Sequence, residues 1–117
     1  MTVTFYHNPR CSKSRATLQL LESRGIEPKI VEYLETPPSA GELKALLEKL
    51  GMKPRDLIRK GEPRYAELGL KDRQLGDDAL IALMVENPIL IERPIVVAGG
   101  KAAIGRPPEK VLEILQA

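Results

Sequence analysis

The chain has a single cysteine and a single histidine. Both fall in one run, His7-Asn8-Pro9-Arg10-Cys11-Ser12-Lys13-Ser14-Arg15, between a short apolar stretch and a segment with helical apolar spacing. This spacing reads as strand, tight loop and helix, with Cys11 at the helix start. A thiol there faces backbone N–H groups that have no helical partner and lies at the positive end of the helix dipole. Both favour the thiolate, which is the reactive form of cysteine. The same N–H groups can bind a tetrahedral oxyanion, and Arg10, Lys13 and Arg15 add positive charge. The chemistry this suggests is thiol attack on, or thiolate redox chemistry with, an anionic substrate. A lone cysteine is more often a small buried apolar residue. The polar flanks, and an Asn8-Pro9 step that stops the strand and forces a turn, favour the functional reading.

Five further residues could serve this thiol. His7, as an imidazolium, could stabilise the thiolate or help to move a proton; as a neutral ring it could simply close the loop by hydrogen bonding. Ser14, in the first helical turn, could point its hydroxyl back to the sulfur or be an ordinary helix-start serine. It also occupies the second position of a C-x-x-C pattern, so dithiol chemistry within one chain is ruled out. Arg59, Arg93 and Arg106 each sit beside a proline, a glycine or an element boundary. Most arginines are solvated surface charge, but a guanidinium binds oxyanions through paired, charge-assisted hydrogen bonds. Convergence of the three on one thiolate would suit a trivalent oxyanion such as arsenate or phosphate. For the Arg93-Pro94 bond, sequence physics alone favours trans.

The elements that must position these groups can be read in order. Val3 to Tyr6 is a first strand, followed by a helix that carries Leu18 and Leu21 and closes at Gly25. Lys29 to Leu34 reads as a second strand, parallel to the first in a right-handed βαβ unit. Ser39 and Glu42 form a capping box for a helix that ends at Gly51. From about 52 to 88 no strand is evident. Short helices are expected there from Pro54 and near Tyr65, and a longer one N-capped by Asp77. Ile95 to Ala98 and Ala102 to Ile104 form a hairpin around Gly99-Gly100. A last helix begins at Pro107-Pro108-Glu109, with Val111, Leu112 and Leu115 inward. The fold expected is α/β, a four-stranded mixed sheet (βαβ plus ββα) with a helical insertion at about 52–88, in one domain spanning 1–117.

Bulk properties bound the reading to one small domain. A chain of 117 residues with a net charge of +2 is long enough for one core and too evenly charged to suggest nucleic-acid binding. No apolar run approaches a membrane span. One cysteine and one histidine make a multi-ligand metal site and an internal disulfide poor expectations. No bound cofactor is expected, and a cytoplasmic monomer with a free thiol fits best. Any disulfide partner of Cys11 must come from another molecule.

The pattern resembles the glutaredoxin-coupled arsenate reductase family of the thioredoxin-like superfamily. The residues that carry the resemblance run through almost the whole chain: Tyr6 to Arg15, Tyr33 to Pro38, Leu57 to Lys60, Glu67 to Leu70, Asn87 to Val97, and Arg106-Pro107. The ending from Gly100 to Glu109 looks like a short, chromosomally encoded subgroup. The resemblance implies a thioredoxin-like fold, Cys11 as the nucleophile toward arsenate, and Arg59, Arg93 and Arg106 as oxyanion ligands. It also implies that His7 and Ser14 tune the thiolate and that the Arg93-Pro94 bond is cis. Glutathione would be the co-substrate, and glutaredoxin the partner that removes it from Cys11. Two other functions compete. One is a glutathione- and glutaredoxin-linked thiol oxidoreductase acting on another substrate. The other is a non-catalytic redox regulator that binds RNA polymerase, whose usual C-x-x-C switch is broken here by Ser14.

Overall fold

The computed structural model describes residues 2–115. The described residues divide into two compact units, one formed by residues 2–36 with 93–115 and the other by 37–92.

The first unit contains the sheet. Strand β1 (Val3–Tyr6) is followed by helix α1 (Ser12–Ser23) and strand β2 (Lys29–Val31), and the chain returns later as β3 (Ile95–Ala98) and β4 (Lys101–Ile104). The sheet order is β2-β1-β3-β4. β1 pairs parallel to β2 and antiparallel to β3, which pairs antiparallel to β4. This is the expected mixed sheet, in the thioredoxin-like arrangement. Alternation along the strands puts Val3 and Phe5 of β1 and Val96 and Ala98 of β3 on one face. There they pack with Leu21 of α1 and Val111 of a C-terminal 3-10 helix (Pro108–Ile114). Fully burying side chains of this size contributes about 1.5–3 kcal/mol each. α1 is therefore held by its apolar stripe, which leaves its N-terminal end, beyond the strand, for other work.

Two expectations for this unit need correction. β2 ends at Val31 rather than Leu34. The β-like composition continues, but the partner strand does not. His7 N–H donates to the Val31 carbonyl at 2.9 Å, the last bond of that ladder, before Asn8-Pro9 turns β1 away. The Glu32 carbonyl instead accepts the N–H groups of Glu35 and Thr36 in a turn. The last helix is a 3-10 helix, with i to i−3 bonds from Lys110 to Pro107 and from Leu115 to Leu112. Its tighter winding turns only Val111 fully inward, leaving Leu112 and Leu115 partly buried.

The second unit is helical. α2 (Ala40–Leu50) opens on the expected capping box. The Ser39 hydroxyl accepts Glu42 N–H at 3.1 Å, and Glu42 Oε1 accepts Ser39 N–H at 2.9 Å. It ends at Gly51, whose φ of 68° is the left-handed conformation that glycine adopts without strain. α3 (Pro54–Leu57), α4 (Pro63–Glu67) and α5 (Asp77–Glu86) follow. The N-cap of α5 is Gly76, so Asp77 and Asp78 lie inside its first turn, where their charge favours the helix dipole. α2 and α3 both pack on α5, with Leu43, Leu46, Leu47, Leu57, Leu80, Ile81 and Met84 buried. The helical segment therefore starts near residue 37 rather than 52, because the stripe of α2 packs within it. Among the described residues, no helix is long and apolar enough to cross a membrane.

Candidate active site

The loop between β1 and α1 is shaped by Asn8, which is buried. Its carbonyl accepts Cys11 N–H at 3.0 Å, and its side-chain oxygen accepts Arg10 N–H at 3.0 Å. Its own N–H donates to the Ser14 hydroxyl at 3.0 Å. An asparagine before a proline can satisfy several backbone groups of a tight loop at once. Arg15 adds a bond from Nη1 to the Pro9 carbonyl at 2.9 Å.

This loop delivers Cys11 to the N-cap position of α1. The Cys11 carbonyl accepts the first helical bond, from Arg15 N–H at 3.0 Å. The N–H groups of Ser12, Lys13 and Ser14 precede that bond and belong to the helix end that favours anions. No acidic residue sits in the first turn. The cysteine is 8% exposed, so its sulfur is largely withdrawn from solvent while lying at the positive end of the helix.

His7 and Ser14 meet. Nδ1 of His7 is 2.7 Å from Oγ of Ser14. Burial pushes the pKa of His7 below its ordinary value; the Glu32 carboxylate opposes this and the Arg15 guanidinium reinforces it. Of the two roles open to His7, the neutral one is favoured. The ring also lies against Phe5, with centroids 5.1 Å apart. The Ser14 hydroxyl thus serves both the imidazole and the Asn8 N–H, tying the strand end, the loop and the first helical turn together.

The arginines fall into two groups. Arg106 Nη2 donates toward Cys11 Sγ at 3.8 Å, and its Nε donates to the Arg93 carbonyl at 2.8 Å. The Arg93 backbone and Arg106 therefore meet at one corner, from which the Arg106 guanidinium reaches the thiol, and Nε and Nη1 of Arg93 are buried. The Arg93-Pro94 bond is cis, as the resemblance implied, and Arg106-Pro107 is cis as well. Arg59 belongs to the second unit. There its Nη1 pairs with Glu62 at 2.6 Å and its Nε approaches Glu92 at 3.8 Å. Sequence reasoning missed the bonding role of Asn8, which was read only as a strand stop, and it missed Thr17 and Gly105 altogether. Thr17 is a fully buried polar residue, and neither its type nor its spacing signals that.

Residues 6–114 match the profile of the ArsC family. An arsenate reductase of Neisseria meningitidis serogroup B is 50% identical over 114 residues, covering 97% of this chain and 97% of that one. An uncharacterized protein of Escherichia coli K12 is 60% identical, covering 97% and 96% of the two chains. Among solved structures, an arsenate reductase from Vibrio cholerae superposes with a TM-score of 0.94 at 59% identity, covering 97% of this chain and 98% of that one.

Proposed function

Because this chain belongs to the ArsC family, we propose that it is an arsenate reductase, with Cys11 as the nucleophile and glutathione and glutaredoxin supplying the other thiols. Cys11 Sγ attacks As(V), and an arsenate oxygen leaves as water, giving a cysteine–arsenate thioester. Glutathione then attacks this adduct. Its thiol and Cys11 together give up two electrons, As(V) leaves as arsenite, and a Cys11–glutathione disulfide forms. A glutaredoxin thiolate takes the glutathione and frees Cys11. The balance needs thiols from outside, because the chain has only one.

The observation that carries this reading is the placement of Arg106 Nη2 3.8 Å from Cys11 Sγ at a helix start with no acidic residue in its first turn. A cation beside the sulfur draws in the oxyanion and opposes the charge that builds during attack. The curated relatives named as arsenate reductases and the Vibrio cholerae structure support arsenate as the substrate. Arg93 joins Arg106 as an oxyanion ligand. The protein is taken to act as a cytoplasmic monomer, with no bound cofactor. Its Ser14, occupied by His7 and Asn8, replaces the second thiol that a C-x-x-C redox regulator would use.

The test is arsenate-dependent NADPH oxidation with glutathione, glutathione reductase and glutaredoxin. Wild type should turn over only when glutaredoxin is present, and Cys11→Ser should not turn over at all, a hydroxyl being a far weaker nucleophile than a thiolate at neutral pH. Equal rates for the two proteins would refute the assignment.

A further inference from the structure

We propose that Gly105, wedged between Thr17 and Pro94, sets the position of Arg106 against the Cys11 sulfur, so that Gly105 and Thr17 are positioning residues for the anionic substrate. The proposal rests on the reading of Cys11 and Arg106 as a nucleophile–cation pair, and it does not need arsenate to be the substrate.

A Cβ placed on Gly105 would stand 2.5 Å from Thr17 Oγ1, 2.9 Å from Pro94 Cγ and 3.2 Å from Thr17 Cγ2. At every other glycine described, a Cβ would meet nothing within 4 Å. Gly105 is also not among the glycines with positive φ. What it contributes is therefore space and not conformational freedom. Its neighbours cannot easily yield. Thr17 is fully buried and β-branched, and its Oγ1 donates to the Lys13 carbonyl at 2.8 Å. Pro94 is buried and rigid, and its carbonyl accepts Gly105 N–H at 2.9 Å.

The two sides of this contact carry the two halves of the pair. Thr17 lies on α1, the helix that Cys11 caps. Arg106 directly follows Gly105, and its N–H donates back to the Ile104 carbonyl at 2.9 Å, which leaves little slack between wedge and guanidinium. The close approach of strand end and helix therefore fixes the 3.8 Å spacing of Nη2 and Sγ. A methyl group at Gly105 has to push the two apart.

The readout is the ratio of Cys11 alkylation rates with iodoacetate, which is anionic, and iodoacetamide, which is neutral. Moving one unit charge away from about 4 Å in a water-like dielectric should lower that ratio roughly fivefold. Arg106→Gln sets the scale of the effect. Gly105→Ala should lower the ratio in the same direction by a smaller factor, since the charge is displaced and not removed, and Gly105→Ala combined with Thr17→Ala, which clears the helix side of the wedge, should recover most of it. Melting curves show which variants stay folded. Should Gly105→Ala not fold, Thr17→Ala alone carries the test: by loosening the seat of Arg106 it should lower the ratio by a smaller factor. A drop for Arg106→Gln with none for folded Gly105→Ala, or none for Thr17→Ala where it stands in, overturns the wedge and leaves the pair intact. No change for Arg106→Gln overturns the pair and the wedge together. A Gly105→Ala effect that the double variant does not reverse overturns the part assigned to Thr17.

Discussion

Arg106 lies 95 positions after Cys11 in the chain, yet its Nη2 stands 3.8 Å from the Cys11 sulfur. Its Nε is held by the Arg93 carbonyl, so one arginine links the hairpin corner to the thiol. A fork anchored at one end presents its other nitrogens in a fixed direction, which an ammonium on a flexible stem does not do.

Replacing either arginine of that corner by lysine should therefore be costly although the charge is kept. For Arg93→Lys and Arg106→Lys, kcat/KM for arsenate should fall about tenfold or more, the scale of a lost charge-assisted hydrogen bond. Steady-state kinetics in the coupled assay checks this, and wild-type values in both variants would remove the pair from the oxyanion site.

Ser14→Ala should destabilise the protein by about 1–3 kcal/mol, because it leaves the buried Asn8 N–H without an acceptor. The same substitution removes the 2.7 Å contact with His7. Denaturant unfolding of the variant, monitored with the wild type under identical conditions, measures the loss. A change within a few tenths of a kcal/mol would mean that water replaces the hydroxyl.

His7 should make stability depend on pH. Its folded pKa is lowered, chiefly by burial, so the unfolded chain binds the proton first as pH falls. The slope of unfolding free energy with pH is then positive in that window. Stability is fully present above the unfolded histidine value of about 6.5 and is lost as pH falls from there toward the folded value. Unfolding curves between pH 7.5 and about 5 should show this loss for wild type. In His7→Gln the loss should shrink, other groups contributing equally to both.

Glu62 and Glu92 hold Arg59 within the second unit. Arg59→Ala breaks both pairs and should lower stability by up to about 1 kcal/mol, the scale of partly exposed ion pairs. A melting curve identical to that of the wild type would mean that neither pair contributes.

Much of this molecule was readable from local sequence. Capping box, glycine stops, hairpin turn and strand alternation depend on neighbours within a few residues, and those elements stand where expected. The thiol at a helix start is equally local, since Asn8-Pro9 ends the strand and the apolar spacing after Cys11 begins the helix. Boundaries failed where an element depends on a distant partner. β2 stops at Val31 because β1 offers nothing further to pair with, and the helical segment reaches back to residue 37 because α2 packs on α5.

The sequence by itself determined the thiol at a helix start, the mixed sheet and the lack of a second thiol, because residue type and short-range spacing specify these. Only the tertiary structure decided which arginine stands at the sulfur, that His7 is answered by Ser14, and that Thr17 and Gly105 touch. Those contacts join β1, α1 and the β3–β4 hairpin, and their distances arise from packing the two sides of a sheet and helix together, which no spacing along one chain segment encodes.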